Sequence, residues 1–157
     1  MNIQQELIEI VASATERLGI DIIHPDVCDG RSFLPQLESL ADRVLCDVPC
    51  SGFGVLGKKP ELRYKSPEES ARLPEIQRAI LDNASRYVKV GGTLVYSTCT
   101  LLPEENQQNI QEFLSRHPEF SLAPWSVGSL EVSSGMITLM PHIHNTDGFF
   151  IAKLIRK

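Results

Sequence analysis

Apolar side chains recur at Ile3, Leu7, Ile10, Val11, Ala14 and Leu18. This is the i, i+3/i+4, i+7 spacing of an amphipathic helix, and Gly19 is placed to stop it. Ile20-Asp21-Ile22-Ile23-His24 then reads as a short strand, and Pro25–Gly30 as the loop at its carboxyl end. Residues 31–41 carry only enough pattern for a short helix or turn. Asp42 and Arg43 lead into Val44-Leu45-Cys46-Asp47, a continuous apolar run of buried-strand type. Ser66-Pro67-Glu68-Glu69 has the cap and first-turn proline of a helix start. Pro74 interrupts or restarts that helix, and Ile76, Ile80, Asn83, Ala84, Tyr87 and Val88 carry one face. Gly91-Gly92 turns the chain into a second buried strand, Thr93–Ser97. Pro103-Glu104-Glu105-Asn106 opens a helix with acidic residues in its first turn, and His117-Pro118 ends it. Residues 120–135 read as irregular, apart from a short strand at Phe120–Pro124. Gly135–Met140 and Gly148–Ile155 read as two strands joined closely enough for a hairpin. The order α-β-α-β-α-β-α-β-β predicts a mainly parallel α/β sheet with helices on both faces, plus one antiparallel strand from the terminal hairpin.

In such a sheet, ligands bind outside the carboxyl ends of the strands. Two of the predicted strands end in polar, cysteine-bearing loops there: Asp47-Val48-Pro49-Cys50 and Thr98-Cys99-Thr100. Two thiols and a carboxylate at adjacent strand ends form a candidate reaction centre. The other two cysteines, Cys46 and Cys28, read as small buried hydrophobes. The spacing holds no Cys-x-x-Cys pair, so no structural zinc site is expected.

With 157 residues the chain is long enough for one domain with a single core. A net charge of −5 gives no global basic field to attract nucleic acid, so any such contact must be local. Residues 49–67 form a long loop with Pro49, Gly52, Gly54, Gly57, Pro60 and Pro67. That loop holds Lys58, Lys59, Arg63 and Lys65, the densest cationic patch. Charge alone favours a solvated loop over an RNA-contacting one. No run of about 18 apolar residues predicts a membrane span. The first residues do not read as a secretion signal. The expected compartment is therefore the cytoplasm, where Cys50 and Cys99 stay reduced rather than joining in a disulfide.

The stretches Asp47-Val48-Pro49-Cys50-Ser51-Gly52-Phe53-Gly54-Val55-Leu56 and Tyr96-Ser97-Thr98-Cys99-Thr100-Leu101-Leu102-Pro103-Glu104-Glu105-Asn106 resemble S-adenosylmethionine-dependent RNA cytosine-5 methyltransferases of the Sun/Fmu type, whose bacterial members act on small-subunit ribosomal RNA. Lys59-Pro60-Glu61-Leu62-Arg63, Pro141-His142 and Asp147-Gly148-Phe149-Phe150-Ile151-Ala152 extend the resemblance over essentially the whole chain. It implies a Rossmann-like methyltransferase fold and a covalent cysteine adduct with cytosine in RNA. It gives Cys99 the role of nucleophile and Cys50 that of helping the adduct break down. Asp47 would hold the target base. Asp29, Asp47 and Pro49 would contact S-adenosylmethionine, with Asp29 on its adenine. Lys58, Lys59 and Arg63 would contact RNA phosphates. DNA cytosine-5 methyltransferases use a Pro-Cys thiol as nucleophile instead, which would exchange the roles of Cys50 and Cys99.

The family's catalytic domain opens with a strand, a glycine-rich loop, a helix and a second strand ending in an acid. No glycine-rich loop precedes residue 30 here. Residues 1–157 therefore read as one domain, the C-terminal portion of the catalytic domain, an incomplete fold lacking the first two strands. In the family's strand order 3-2-1-4-5-7-6, that leaves Ile20–His24 separated from Arg43–Asp47 by a gap of about 10 Å, twice the strand spacing. Unpaired buried backbone is costly. The expectation is that these two strands pair directly, or that a homodimer forms through the exposed edge. Two other readings remain open: an inactive remnant with weak RNA binding, and a thiol-dependent redox or acyl-transfer enzyme.

Overall fold

The computed structural model describes residues 3–157, without the side chains of residues 3–7, 67 and 69. It divides into two compact units, Met1–Ser32 and Phe33–Lys157, and each is described by itself.

The N-terminal unit holds α1 (Ile3–Leu18), as the periodicity predicts; the side chains of Ile3 and Leu7 lie outside the described set. Gly19, at φ +66°, ends the helix in a Schellman arrangement: Ile20 N–H donates to Thr15 O and Gly19 N–H to Glu16 O. The predicted strand Ile20–His24 is not formed. That stretch is irregular, and Ile22 is 82% exposed. An apolar run becomes a strand only when a neighbour pairs its N–H and C=O groups. Among the described residues no strand takes that place, so the expected pairing of Ile20–His24 with Val44–Cys46 is absent. Cys28, expected to be buried, is exposed.

The second unit carries the sheet: β1 (Ala41–Asp47), β2 (Val88–Thr98), β3 (Phe120–Leu122), β6 (Met136–Leu139) and β7 (Phe149–Arg156). β1 and β2 are parallel, in register from Arg43 against Thr93 to Asp47 against Ser97. β7 runs antiparallel to β2, and both β3 and β6 run antiparallel to β7. Four strands therefore point one way and β7 alone points back. The order β1-β2-β7-β6 matches the 4-5-7-6 half of the expected sheet, terminal hairpin included. The outermost strand is split in two. Between its halves lies a ribbon, β4 (Trp125–Val127) paired with β5 (Leu130–Val132), where the sequence reads as irregular.

The helix predicted from Ser66 is two helices, α2 (Pro67–Ala71) and α3 (Leu73–Tyr87), which meet just before Pro74. Ser66 caps α2 by accepting the Glu68 N–H. α4 (Gln107–Arg116) starts four residues later than Pro103 predicts; residues 103–106 form turns. A four-residue helix, α5 (Pro141–His144), links β6 to β7.

Packing follows alternation. On β7, Phe150, Ala152 and Leu154 are buried and their neighbours half-buried. Phe150, Leu154, Leu94 and Tyr96 of the sheet meet Leu81 of α3 and Ile110 and Phe113 of α4 in one core. α3 and α4 lie on this same face, tied by Arg78–Glu112 at 2.6 Å and Arg116–Asp82 at 2.7 Å. The prediction of helices on both faces is not met within this unit. Leu45 of β1, within its apolar run, is 72% exposed.

Candidate active site at the β1 and β2 carboxyl ends

Parallel pairing of β1 with β2 brings the two cysteine loops side by side. Cys50 Sγ lies 3.1 Å from Cys99 Sγ and accepts the Cys99 N–H at 3.3 Å. Ser51 Oγ meets Thr100 Oγ1 at 2.6 Å, and Gly54 N–H donates to Cys99 O at 2.9 Å. The terminal Asp-Gly-Phe-Phe stretch joins them, since Gly148 N–H donates to Gly54 O at 2.8 Å. Three stretches far apart in sequence thus form one stitched site.

Asp47 closes β1, and its Oδ1 accepts Ser97 Oγ at 2.7 Å. The carboxylate is otherwise exposed, next to the thiols in sequence. Burial, followed by the hydrogen bond with the Cys99 side chain, pushes the Cys50 thiol well above the usual cysteine range. Cys50 is therefore an S–H at neutral pH, and its hydrogen can be donated to Cys99 Sγ. Burial likewise pushes Cys46 up to about 12. That is the inert, buried thiol the sequence suggests.

The other expected site residues are placed unequally. Asp29 belongs to the N-terminal unit, where both of its oxygens are bound by Arg31, Nε to Oδ1 at 3.0 Å and Nη2 to Oδ2 at 2.7 Å. That pairing holds the Asp29 carboxyl at about 2. Pro49 has its carbonyl taken by Gln77 Nε2 at 2.9 Å. Lys58 is engaged by Asp147 at 2.5 Å, whereas Lys59 and Arg63 are exposed with no ion pair among the described residues. Tyr64, next to Arg63, is 90% exposed. Lys65, grouped with the patch by sequence, turns inward: Nζ reaches Cys50 O at 3.5 Å and Ser51 O at 3.4 Å.

Sequence reasoning missed Gln77 and Glu105. Both are buried beneath the Cys50 loop, and Glu105 Oε2 accepts the Ser51 N–H at 3.0 Å. Gln77 had a visible signal, a polar residue beside Ile76 and Ile80 on the inward side of α3. Glu105 had none, because an acid in a first turn reads as solvent-facing.

The family model for 16S rRNA methyltransferase RsmB/F matches residues 1–155. The chain belongs to that family. It is 40% identical over its whole length to a probable ribosomal RNA small subunit methyltransferase B of Bacillus subtilis, of which it covers 37%. It is 42% identical, over 92% of its length, to a probable small subunit methyltransferase B of Synechocystis, of which it covers 34%. Among solved structures it resembles NSun6 from Pyrococcus horikoshii with SFG, at a TM-score of 0.77 and 32% identity, over 94% of this chain and 38% of that one. The chain thus spans little more than a third of the RsmB/F relatives it matches. Its fold is the partial Rossmann-like methyltransferase sheet expected from sequence.

Proposed function

We propose that this RsmB/F chain contributes the reaction centre for methylating carbon 5 of a cytosine in RNA, ribosomal RNA in the bacterial cytoplasm, with S-adenosylmethionine as methyl donor. The observation that carries this reading is the 3.1 Å contact between Cys50 and Cys99, with Asp47 at the same strand ends.

Carbon 5 of cytosine is a weak nucleophile. Addition of Cys99 Sγ to carbon 6 forms an S–C bond and moves the 5,6 electron pair to carbon 5, dividing one hard step into easier ones. Asp47, exposed at the end of β1, stands at the base's ring nitrogen and amino group and favours protonation there during attack. Once carbon 5 is methylated, its proton passes to solvent water, the C–H electron pair re-forms the 5,6 double bond, and the S–C bond breaks with its pair going to Cys99 as the thiolate. Cys50, an S–H against Cys99 Sγ, stabilises the departing sulfur at this stage. S-adenosylmethionine, when bound, supplies the methyl group on an electrophilic sulfonium. Of the three residues assigned to it, Asp47 fits, with Oδ2 outside the Ser97 bond. Pro49 can offer its ring but not its engaged carbonyl. Asp29 would have to give up Arg31.

Trapping on 5-fluorocytosine RNA with the methyl donor tests the roles. The wild-type chain is expected to form a covalent adduct, Cys99→Ala none, and Cys50→Ala an adduct that also persists on unmodified cytosine RNA. Adduct formation by Cys99→Ala but not by Cys50→Ala reverses the assignment. Absence of S-adenosylmethionine binding at millimolar concentration favours the inactive-remnant reading, for which the Asp29–Arg31 pairing speaks.

The reading includes a homodimer through the outer edge of β1. It rests on β1 pairing with β2 alone among the described residues and on the exposure of Leu45.

A further inference from the structure

The Cys50 loop is not held by packing alone. Beside it lies a cavity of about 500 Å³ lined by Phe53, Lys65, Pro74, Leu102 and Glu105, among others. A loop bordering open volume keeps its position through polar bonds, and here these converge on the residues either side of Cys50. Gln77 Nε2 donates to Pro49 O at 2.9 Å and to Glu105 Oε2 at 2.7 Å. The same Glu105 Oε2 accepts the Ser51 N–H at 3.0 Å. Gln77 is anchored in turn by Asn109, whose Nδ2 donates to Gln77 Oε1 at 2.9 Å. Glu105 is anchored by Tyr96, whose hydroxyl donates to Glu105 O at 2.7 Å. Gln77, Asn109 and Tyr96 are fully buried and Glu105 is 1% exposed.

We propose that Gln77 and Glu105 are positioning residues that fix the Cys50 thiol against Cys99. Neither touches a thiol. Together they grip the peptide groups before and after Cys50, so the Sγ–Sγ separation follows from theirs. A glutamine at 105 could still accept both bonds through its carbonyl oxygen. A leucine could accept neither. The catalytic meaning of the clamp rests on the function proposed above, but the clamp itself does not.

The test is the rate at which iodoacetamide alkylates Cys50 relative to Cys99 in the native chain, mapped by mass spectrometry. It requires neither RNA nor methyl donor. Gln77→Leu and Glu105→Leu are expected to raise the relative rate at Cys50 at least tenfold, while Glu105→Gln stays within threefold of wild type. Leu81→Ala, a core cavity on the same helix as Gln77, is expected to lower the melting temperature without changing the ratio. Where the leucine variants do not fold, Glu105→Asp is expected to raise it at least threefold by shortening the reach to Ser51 N–H. A ratio in the clamp variants equal to that of Leu81→Ala overturns the proposal. Failure of the 5-fluorocytosine trap would overturn the methyltransferase reading and leave this result standing.

Discussion

Cys50 Sγ accepts the Cys99 N–H at 3.3 Å while lying 3.1 Å from Cys99 Sγ, so the two thiols are unequal by geometry. Cys50 is the one held at a backbone donor, and its burial disfavours its thiolate. Only the thiolate is alkylated. The rate at Cys50 should therefore keep climbing between pH 8 and pH 10.5, where an ordinary cysteine, ionising near 9.0, levels off. A plateau at Cys50 near pH 9 would show that its thiol is not suppressed.

Cys46 makes the same physics a matter of stability. Burial raises its thiol from an ordinary 9.0 to about 12, so above pH 9 the folded chain binds this proton more tightly than the unfolded chain does. The contribution is fully present below pH 9 and is lost as pH rises toward 12, by up to about 1.4 kcal/mol per pH unit. Urea unfolding at pH 7.5 and at pH 10 should show wild type losing more stability than Cys46→Val over that interval. Equal losses would remove Cys46 as a source of alkaline sensitivity.

Gly54 is where the three stretches of the site touch. A Cβ there would stand 2.0 Å from Gly148 O and 2.8 Å from Cys99 O, both backbone atoms that cannot rotate away. Gly54→Ala is thus expected to cost about 3 kcal/mol, at the upper end of overpacking, and to abolish adduct formation by parting the two loops. Chemical denaturation and the 5-fluorocytosine trap measure these separately. A stable, trapping-competent alanine variant would mean that the loops tolerate separation.

Much of this was legible in the chain. Thr93–Ser97, Phe149–Ile155 and the faces of α3 and α4 follow from periodicity, because each buries its pattern against the next, whereas Val44–Asp47 forms its strand with Cys46 buried and Leu45 exposed. The thiol pair was legible as chemistry, since parallel strands bring their carboxyl ends together. Ile20–His24 failed because a strand is a property of a pair, and no strand among the described residues pairs with it. β4 and β5 failed because three-residue strands around Gly128-Ser129 carry too little alternation to register. Glu105 and Lys65 failed for one shared reason. Polar side chains read as solvent-facing until a fold shows a backbone group buried beneath them.

The exposed edge of β1 leads to a solution prediction. Leu45 is 72% exposed in the apolar stretch Val44–Cys46, and β1 pairs on one side only among the described residues. An edge of this kind recruits another strand unless a charge discourages it. Sedimentation velocity should show the wild-type chain self-associating and Leu45→Lys shifted toward monomer, with unchanged thermal stability. A wild-type chain that is monomeric at high micromolar concentration rules out the dimer.

The loop at Lys58–Lys65 separates two kinds of lysine that look alike in sequence. Lys58 is neutralised by Asp147, whereas Lys59 and Arg63 are exposed without an ion pair among the described residues, beside an exposed Tyr64. A phosphate contact releases a counterion and a paired lysine releases none. Lys59→Ala and Arg63→Ala should therefore each flatten the slope of log binding constant against log salt by about 1, and Lys58→Ala should leave it nearly unchanged. Tyr64→Ala should weaken binding by about 1–3 kcal/mol with no change in slope, the signature of base stacking rather than charge. Fluorescence anisotropy on a short cytosine-containing RNA, titrated at several salt concentrations, distinguishes the four variants. A Lys58→Ala slope change equal to that of Lys59→Ala would mean that the Asp147 pair opens on binding, and would return Lys58 to the contact surface.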